Sequence, residues 1–471
     1  MDTADQKTGE KSIEENRLEE NRAEENKSEK KSMMILGASA LQVPAIRAAK
    51  KLGYRIISVD YDPSAVGFEL ADVKLVVSTL DQEEVYRQAL HYQPDVIMTS
   101  TSDGPVRTAA YVNEKLGKIP DLSYEDSLCA TMKHHMRERL DRCGVPIPGY
   151  RAVGSLEEFL EAVSVFRGKC IVKPSDNAGS RGVVLLTGRE AAEELAEIYA
   201  YVKSNSRNGL IMTEEFMEGP EVSVEAMTVA GQTRILTITD KVTTKPPYFV
   251  ELAHSQPCRL PEKVQEQIRK VALQAIAAIG LQNGPSHTEI KVTEAGPKIV
   301  ELAARLGGDF ITSRLVPLST GVNMVEASVR LAAGLDPELE PATGKNVPGG
   351  AAIRFLSIES VWDLTSEKEN GTESGKAREN STESGREWME EDRKDPARQW
   401  ILKNITVPEE VYQMPGVEEV VIYKHPGDVV TETRSSNDRL GHIIAVGETA
   451  EEALAAAAGA MERIRVELGK C

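Results

Sequence analysis

Alternating apolar and polar stretches predict that the folded chain begins with a βαβ unit. The unit consists of a strand, a helix and a second strand, at Met33–Leu36, Val43–Leu52 and Tyr54–Asp60. The same order continues in a strand, a helix and a strand at Val73–Val77, Glu83–His91 and Val96–Thr99. We therefore expect an α/β domain over residues 33–123.

Four small or polar residues follow the ends of these predicted strands: Gly37, Ser39, Asp60 and Asp103. Ligands of open α/β sheets bind beyond the carboxyl ends of the strands, so these residues are candidate substrate contacts. The first turn reads GASALQ and lacks the glycine spacing of a dinucleotide-binding fingerprint. The sequence therefore disfavours a dinucleotide cofactor.

From residue 124 the pattern changes to helical periodicity. The apolar residues that recur at helical spacing are Leu128, Met132, Met136 and Leu140. With Asp126 near its start and Gly144 after its end, the segment predicts one helix, which carries Lys133.

A loop rich in small residues separates two predicted strands further on. The strand CIVKP has Lys173 near its end, the loop SDNAGSRGV spans residues 175–183, and an apolar strand follows at Val183–Leu186. Backbone N–H groups of such a loop can close over phosphates, and Lys173 adds a positive charge. A plain hairpin is the more common use of this composition, so the motif alone is weak evidence.

The segment LIMTEEFMEGPEVSVEAMTV predicts two strands joined by a hinge. An apolar strand reaches Glu214 and continues through Phe216 and Met217 to a Gly219-Pro220 turn, after which a second strand begins at Glu221. Exposed backbone groups at a hinge suit recognition of an adenine edge. In this interpretation Glu214 lies near the exocyclic amine, and Glu221 accepts hydrogen bonds from the ribose hydroxyl groups.

Two predicted strands near residue 290 each carry one carboxylate. His287–Val292 holds Glu289, Lys298–Leu302 holds Glu301, and a turn at Gly296-Pro297 joins them. Two carboxylates on one face suit a hard cation that bridges phosphate oxygens, because Mg²⁺ prefers oxygen ligands and shares them with its substrate. An ordinary hairpin with exposed acids is the alternative.

Composition narrows the class of protein. A chain of 471 residues is long enough for roughly three domains, and its 41% hydrophobic fraction is enough to fill their cores. A net charge of -18 disfavours nucleic-acid binding, and the lack of any run of ~18 apolar residues argues against a membrane partner. The five cysteines lack metal-ligand spacing, so we expect reduced thiols and a cytoplasmic location.

Two polar segments lack the apolar residues of a core. Residues 1–32 repeat an EEN unit, and residues 365–398 contain the near-duplicates TESGKAREN and TESGREWME. Neither can bury enough apolar area to offset the entropy of ordering, so we expect both to be disordered. A solvated helix is an alternative for the first, because Glu, Arg and Lys are good helix formers.

Taken in order, these motifs resemble the signature of the ATP-grasp superfamily of carboxylate-amine ligases. They are Lys133, IVKPSDNAGSRGV, EEFMEGPEVSVE, HTEIK and IVELAARLGGD. The superfamily includes D-alanine ligase, biotin carboxylase and the bacterial L-amino acid (dipeptide) ligases, and the last branch is the most similar in motif. The resemblance covers about residues 33–356, and RSSNDRLGHIIAVGETAEEAL is similar to the C-terminal lid of the same proteins.

The resemblance implies an α/β and α+β multidomain protein with the ATP-grasp fold. A Rossmann-like pre-grasp domain would span residues 33–123. Two lobes that grip ATP would span residues 124–340, and a lid would span residues 341–471.

The resemblance also implies roles for individual residues. Contacts to the ATP phosphates would come from Lys133, Lys173, Ser175, Gly179, Ser180 and Gly182. Adenine and ribose would be held by Glu214, the backbone of Phe216 and Met217, and Glu221. Mg²⁺, or Mn²⁺ in its place, would be bound by Glu289 and Glu301, and Arg305 would stabilise the phosphoryl group in transfer. One departure is Ala303, where many relatives have an asparagine ligand.

The segment TDKVTTKPPYFVELAHSQP is similar to the substrate loop of the dipeptide ligases. In those proteins an acid and a histidine three residues apart hold an amino-acid ammonium, which matches Glu251 and His254. A surface glutamate and a capping histidine are the alternative. We also expect His287, Gly307 and Gly308 to face the substrate.

These implications predict an ATP-dependent ligase that activates the carboxylate of an amino acid as an acyl phosphate and joins it to an amine. Its partners would be ATP, a small acid and an amine, and a homodimer is compatible with the sequence. Two alternatives are a non-catalytic ATP-binding protein, which the change at Ala303 would suit, and a carboxylase or nucleotide-biosynthesis ligase of the same superfamily.

Overall fold

A computed structural model describes residues 30–118, 121–177, 179–244, 246, 248–341, 347, 349–360 and 399–470. The predicted disordered insertion at 365–398 lies outside these ranges, as does the polar tail up to residue 29. Within the described ranges, no helix combines the length and apolar character needed to cross a bilayer.

The amino-terminal domain is built on four parallel strands. They are β1 (Ser32–Leu36), β2 (Arg55–Asp60), β3 (Val73–Val76) and β4 (Val96–Thr99). Its helices are α1 (Val43–Lys51), α2 (Gln82–Tyr92) and α3 (Gly104–Lys115), with a 3-10 helix at Val66–Leu70. The strand order is β3-β2-β1-β4, which confirms the predicted βαβ order and brings the strand ends to one edge.

Two helices connect this domain to the next, α4 (Tyr124–Cys129) and α5 (Lys133–Arg142). The prediction of one continuous helix was wrong. Met132 is extended (φ -130°, ψ 116°), and the Lys133 N–H donates to the Ser175 carbonyl at 2.8 Å, which turns α5 toward the following sheet. Periodicity did not reveal the break, because Met136 and Leu140 are buried whether or not the two helices are continuous.

A small antiparallel sheet forms the first lobe. Its strands are β5 (Tyr150–Val153), β6 (Cys170–Pro174), β7 (Val184–Leu186) and β8 (Ile211–Glu215), in the order β5-β8-β6-β7. Two helices cover it, α6 (Leu156–Phe166) and α7 (Ala192–Ser204). Ser155 and Glu158 form a capping box that fixes the start of α6.

The remaining elements belong to the second lobe and the C-terminal region. The strands are β9 (Glu221–Val229), β10 (Gln232–Thr243), β11 (Glu251–Gln256), β12 (Gly284–Thr293), β13 (Gly296–Ala303), β14 (Gly350–Leu356), β15 (Gln399–Thr406), β16 (Val417–Ile422), β17 (Val429–Thr431), β18 (Gly441–Gly447) and β19 (Arg465–Lys470). The helices are α8 (Glu262–Ala278), a π-helix at Ile311–Leu315, α9 (Val316–Thr320), α10 (Met324–Ala332), two 3-10 helices at Glu409–Gln413 and Ser436–Asp438, and α11 (Ala450–Met461).

One sheet of eight strands unites the second lobe with the C-terminal region. Its order is β13-β12-β9-β10-β11-β14-β18-β16, and a separate sheet pairs β17-β15-β19. Because β14 pairs directly with β11, the C-terminal region continues the sheet that carries β12 and β13. The division at residue 341 therefore stays a proposal, since strands on both sides of it share this sheet.

Candidate nucleotide and substrate site

A cleft lies between the small sheet and the large one. Most of the residues singled out in the sequence line it: Lys133, Lys173, Gly179, Ser180, Glu214, Phe216, Met217, Glu221, Glu251, His287, Glu289, Glu301 and Arg305. Both lobes therefore contribute charged side chains to one space.

Two carboxylates face each other on one wall of the cleft. Glu289 on β12 pairs in register with Glu301 on β13, while the neighbouring Ile290 and Leu302 are buried in the core on the other side. The turn between the strands lies at residues 294–295, and Gly296 is already paired with Thr293, so the predicted turn position was wrong by two residues.

Each of these acids accepts a hydrogen bond from a lysine. The Lys241 ammonium donates to Glu289 at 2.7 Å, and the Lys133 ammonium donates to Glu301 at 2.9 Å. The two carboxylates remain 22% and 31% exposed, open to the cleft. The two carboxylates therefore already attract two cationic groups, and the same negative charge could bind a divalent cation.

The residues present fit a metal ion that is shared with phosphates. Within the described ranges, no three acidic, histidine or cysteine side chains converge as a complete metal site. Ala303 pairs with His287 and brings no oxygen ligand. Any further oxygen ligands would have to come from phosphate groups, water or the backbone, as is usual for Mg²⁺.

Lys241 on β10 was not predicted from the sequence. Its ammonium also donates to Glu221 at 2.7 Å and lies 3.8 Å from Glu251. Burial opposes its charge, but the three nearby carboxylates raise the pKa of Lys241 well above its usual value. The lysine thus connects the predicted ribose, metal and substrate acids. The sequence feature that could have indicated Lys241 is its position in the segment that resembles a substrate loop.

A buried ion cluster supports Lys173. Its ammonium lies 2.7 Å from Glu214, whose carboxylate also accepts from the Arg137 Nε and Nη2 at 2.9 and 3.0 Å. Burial would raise the pKa of Glu214, yet the two cations lower it to about 2. Both Glu214 oxygens already accept hydrogen bonds from cationic side chains. This favours a role for Glu214 in holding Lys173 over the expected contact with adenine.

The small-residue loop divides into a buried and an open part. Ser175 is fully buried and forms a hydrogen bond with His134 at 2.6 Å, and Gly182 packs against Asn205. Both were expected to contact phosphates, but neither lines the cleft. Gly179 and Ser180 do line it. The sequence identified the loop but not which of its residues pack against the lobe.

The hinge between β8 and β9 leaves backbone groups outside the sheet. Phe216 lies under the Lys169 ammonium, 5.4 Å from the ring centre, and Met217 follows on the cleft wall. Gly219 has φ 130°, and a Cβ there would meet the Val292 carbonyl oxygen at 2.0 Å, so only glycine fits this turn. The predicted turn at Gly219-Pro220 is confirmed.

Arg305 joins the cleft to the amino-terminal domain. Its guanidinium donates to both Asp103 oxygens, at 2.7 and 3.2 Å, and the Leu306 N–H donates to the Ser100 carbonyl at 2.9 Å. Asp103, a candidate substrate contact, is instead a partner of Arg305. Burial opposes the charge of Arg305, but Asp103 raises its pKa.

The other three candidates at this sheet edge form hydrogen bonds to nearby groups of the amino-terminal domain. Asp60 accepts from the Ala38 N–H at 2.8 Å, and Ser39 donates to Gln42 at 2.6 Å. Gly37 donates its N–H to the Val59 carbonyl. Of the described residues that line the cleft, none belongs to this group.

His287 forms a buried pair that the sequence did not indicate. Its Nδ1 donates to Glu225 at 2.7 Å, and its Nε2 lies 3.5 Å from Glu289. Burial opposes protonation, but Glu225 raises the pKa of His287 to about 9. A Cβ on Gly307 would lie 2.7 Å from His287 Nδ1, so Gly307 packs against this pair rather than facing a substrate. Gly308 has open space around it and is likewise not on the cleft wall.

The predicted ammonium-binding pair is separated. Glu251 lines the cleft, whereas His254 is 1% exposed and its Nε2 lies 3.5 Å from Asp309. A buried arginine, Arg439, contacts both Glu251 and Asp309. His254 therefore supports the wall behind Glu251 instead of sharing its surface.

Two protein-family models match the chain. An ATP-grasp domain matches residues 166–313, and L-amino acid ligase C-terminal domain 2 matches residues 396–469. Similar curated proteins include alanine–anticapsin ligase of Bacillus subtilis (strain 168), 29% identical over 48% of this chain and 51% of that protein. Carnosine synthase 1 of Gallus gallus is 26% identical over 68% of this chain and 37% of that protein. The chain thus spans about half the length or less of these two relatives.

A third relative is matched over more of its length. The L-arginine-specific L-amino acid ligase of Bacillus subtilis is 22% identical over 74% of each chain. Among solved structures, L-amino acid ligase from Bacillus licheniformis superposes with a TM-score of 0.70 and 20% identity, over 93% of this chain and 99% of that one. Phosphoribosylglycinamide synthetase from Anaerococcus prevotii superposes with a TM-score of 0.66 and 19% identity, again over 93% of this chain and 99% of that one. The predicted multidomain ATP-grasp fold is confirmed.

Proposed function

We propose that this chain, which carries an ATP-grasp domain followed by an L-amino acid ligase C-terminal domain, is an ATP-dependent carboxylate-amine ligase. It would activate the carboxylate of an amino acid as an acyl phosphate and join it to an amine, with release of ADP and phosphate. One observation carries the proposal: two lysines, two facing acids and Arg305 line the same cleft as Glu251.

The nucleotide would lie between the two lobes. Lys133 and Lys173 would bind its phosphates, and Gly179 and Ser180 would cover them with backbone N–H groups. The buried Arg137–Glu214 pair supports Lys173, since Glu214 holds its ammonium group.

The nucleoside would lie against the hinge. The backbone of Phe216 and Met217 would contact adenine, and Glu221 would accept from the ribose hydroxyl groups. Glu221 is bonded to Lys241 and also lies 3.3 Å from Lys291, so its carboxylate is held on the cleft wall.

Glu289 and Glu301 would hold Mg²⁺ or Mn²⁺. Such an ion, when bound, neutralises charge on the transferring phosphoryl oxygens. Lys133, which contacts Glu301, would then be free to contact phosphate oxygens. Ala303 leaves this site with one fewer protein oxygen than in many relatives that the motif resembles.

The chemistry would proceed in two displacements. A carboxylate oxygen of the acid attacks the γ-phosphorus of ATP, and the bond from that phosphorus to the ADP oxygen breaks. The amine nitrogen then attacks the acyl carbon, loses a proton, and phosphate leaves. Arg305, held by Asp103 and the Leu306 carbonyl, would stabilise negative charge on the phosphoryl group.

Glu251 would hold the ammonium of the activated amino acid. Its carboxylate is fixed between Lys241 and Arg439, and it stays 21% exposed to the cleft. An acid without an amino group would lack this contact.

We also propose a cytoplasmic location and a homodimer. Cys129, Cys143, Cys170 and Cys258 are free thiols, which supports a reducing compartment. A biotin carboxylase domain dimer from Hydrogenobacter thermophilus shares the fold, with a TM-score of 0.65 at 16% identity. Light scattering on the purified chain measures the oligomeric state directly.

A screen of amino acids, singly and in pairs, tests the proposed activity. We expect ADP and phosphate to form in equal amounts with an amide product that mass spectrometry detects. A variant with Glu301→Gln is the matched negative control. ATP bound tightly but never consumed, with any acid and amine, would contradict the proposal.

A further inference from the structure

We propose that Arg439 is a positioning residue through which the C-terminal domain shapes the amino-acid site. Arg439 belongs to the segment matched by L-amino acid ligase C-terminal domain 2, whereas Glu251 and Asp309 belong to the ATP-grasp match. The inference rests on the proposed function, and it concerns how the acid that holds the substrate ammonium is kept in place.

Arg439 bonds to both acids at once. Its Nη1 and Nη2 donate to the two Asp309 oxygens at 2.9 and 2.8 Å. Its Nε and Nη2 donate to the Glu251 carbonyl at 3.1 and 2.8 Å, and Nη2 lies 3.3 Å from the Glu251 carboxylate. One planar guanidinium therefore fixes the start of β11 relative to the loop after β13.

The environment of Arg439 favours support over substrate binding. The residue is 3% exposed, and its guanidinium lies 3.7 Å from the centre of the Phe355 ring. Each of its three nitrogens already has a partner in the protein. A substrate carboxylate would have to displace these bonds, so we assign the arginine to the wall of the site.

The loop that Arg439 holds has an unusual backbone. Asp309 and Phe310 follow one another with φ values of 50° and 62°, a region sparsely populated by residues with side chains. Both are held from the C-terminal domain, Asp309 by Arg439 and Phe310 by His442, with ring centres 4.5 Å apart. The conformation thus depends on contacts across the two matched segments.

A third contact completes this attachment. Arg314, in the π-helix that follows Phe310, lies 2.9 Å from Glu419 on β16. Glu419 also accepts from His442 at 2.9 Å. The segment from Asp309 to Arg314 is therefore attached to the C-terminal domain at both of its ends.

The charges around Asp309 explain why the arginine matters. Burial would raise the pKa of Asp309, but His254 and Arg439 lower it, so the carboxylate is ionised. Without Arg439, the Asp309 and Glu251 carboxylates would lose a shared counter-charge in a largely buried place. We expect both acids to shift, and Glu251 to lose the orientation that faces the cleft.

The test compares Arg439→Lys and Arg439→Met with the same changes at Arg463. Arg463 is exposed in the same domain and lies outside the site. We expect both Arg439 variants to raise KM for the amino acid by about tenfold or more, because charged hydrogen bonds are lost. Lysine keeps the charge and should retain part of the affinity. Binding of ATP, measured by calorimetry, should be unchanged in all four variants.

Asp309→Asn keeps the shape of the loop and provides a second route if Arg439→Met does not fold. It should also raise KM for the amino acid while ATP binding is retained. Unchanged KM in Arg439→Lys and Asp309→Asn would overturn the inference, and so would an equal loss of ATP and amino-acid binding. Failure of the wild-type chain to consume ATP with any amino acid would instead refute the proposed function.

Discussion

Glu289 and Glu301 lie directly opposite each other on two antiparallel strands, and each accepts a hydrogen bond from a different lysine. The lysines come from distant parts of the chain, Lys241 from β10 and Lys133 from the start of α5. The paired strands thus bring two negative charges together, and the rest of the cleft supplies positive charge to balance them. This arrangement makes the acids the first place to test a metal-dependent phosphoryl transfer.

The first prediction concerns these two acids. Glu289→Gln or Glu301→Gln should lower ADP formation by more than about 100-fold, since changes to outer partners of a metal site alone cost about 10–100-fold. Binding of adenosine should persist, because the hinge at Phe216 and Met217 is untouched. ADP formation is measured against Mg²⁺ concentration, with Glu294→Gln at the strand turn as the matched control. Two fully active variants would refute the site assignment.

The second prediction concerns the buried pair beneath Lys173. Arg137→Met removes a guanidinium that is fully buried and leaves Glu214 with one cation. We expect a loss of about 3–5 kcal/mol in the free energy of unfolding, as for other broken buried pairs. Urea denaturation measures it, with Arg142→Met on the exposed face of the same helix as the control. Equal stability of the two variants would show that Arg137 contributes little.

The third prediction is a pH dependence of stability. The pKa of Glu214 is lowered to about 2 in the folded chain, from the 4.5 of a free glutamate. A lowered pKa contributes stability that is fully present above pH 4.5 and is lost as the pH falls through about 2. The difference in unfolding free energy between the wild type and Glu214→Gln should be about 3 kcal/mol at neutral pH and should shrink below pH 4. A difference in unfolding free energy that does not change with pH would contradict a lowered pKa of Glu214.

The sequence located the strands and acids of the cleft but not their partners. Alternation placed Glu289 and Glu301 on one face because strand periodicity is a local property. The partners of Glu214 and Arg305 are Arg137 and Asp103, which lie 77 and 202 residues away. No local pattern specifies which polar faces meet in the folded chain.

The same limit applies to the small-residue loop and to the linking helix, whose break the sequence did not predict. Ser175 and Gly182 match the motif by type, yet their exposure depends on His134 and Asn205, which belong to other elements. The break before Lys133 follows from a bond to the Ser175 carbonyl, which is also a tertiary contact.

The fourth prediction concerns recognition of the amino acid. Glu251→Gln should raise KM for the amino acid much more than for its des-amino analogue, because only the first loses a charge partner. The ratio of the two KM values is compared with that of Glu262→Gln, a change at the start of α8 on the surface. Equal increases for both substrates would remove Glu251 from the ammonium site and leave the broader function intact.

If the acid is activated as an acyl phosphate, one of its carboxylate oxygens must pass to the released phosphate. The acid is labelled with ¹⁸O at both carboxylate positions and supplied with ATP and the amine, and the released phosphate is analysed by mass spectrometry. We expect one ¹⁸O atom in each phosphate and one in each amide, because a carboxylate oxygen attacks the γ-phosphorus and leaves with it. Phosphate without label, formed together with the amide, would contradict activation as an acyl phosphate.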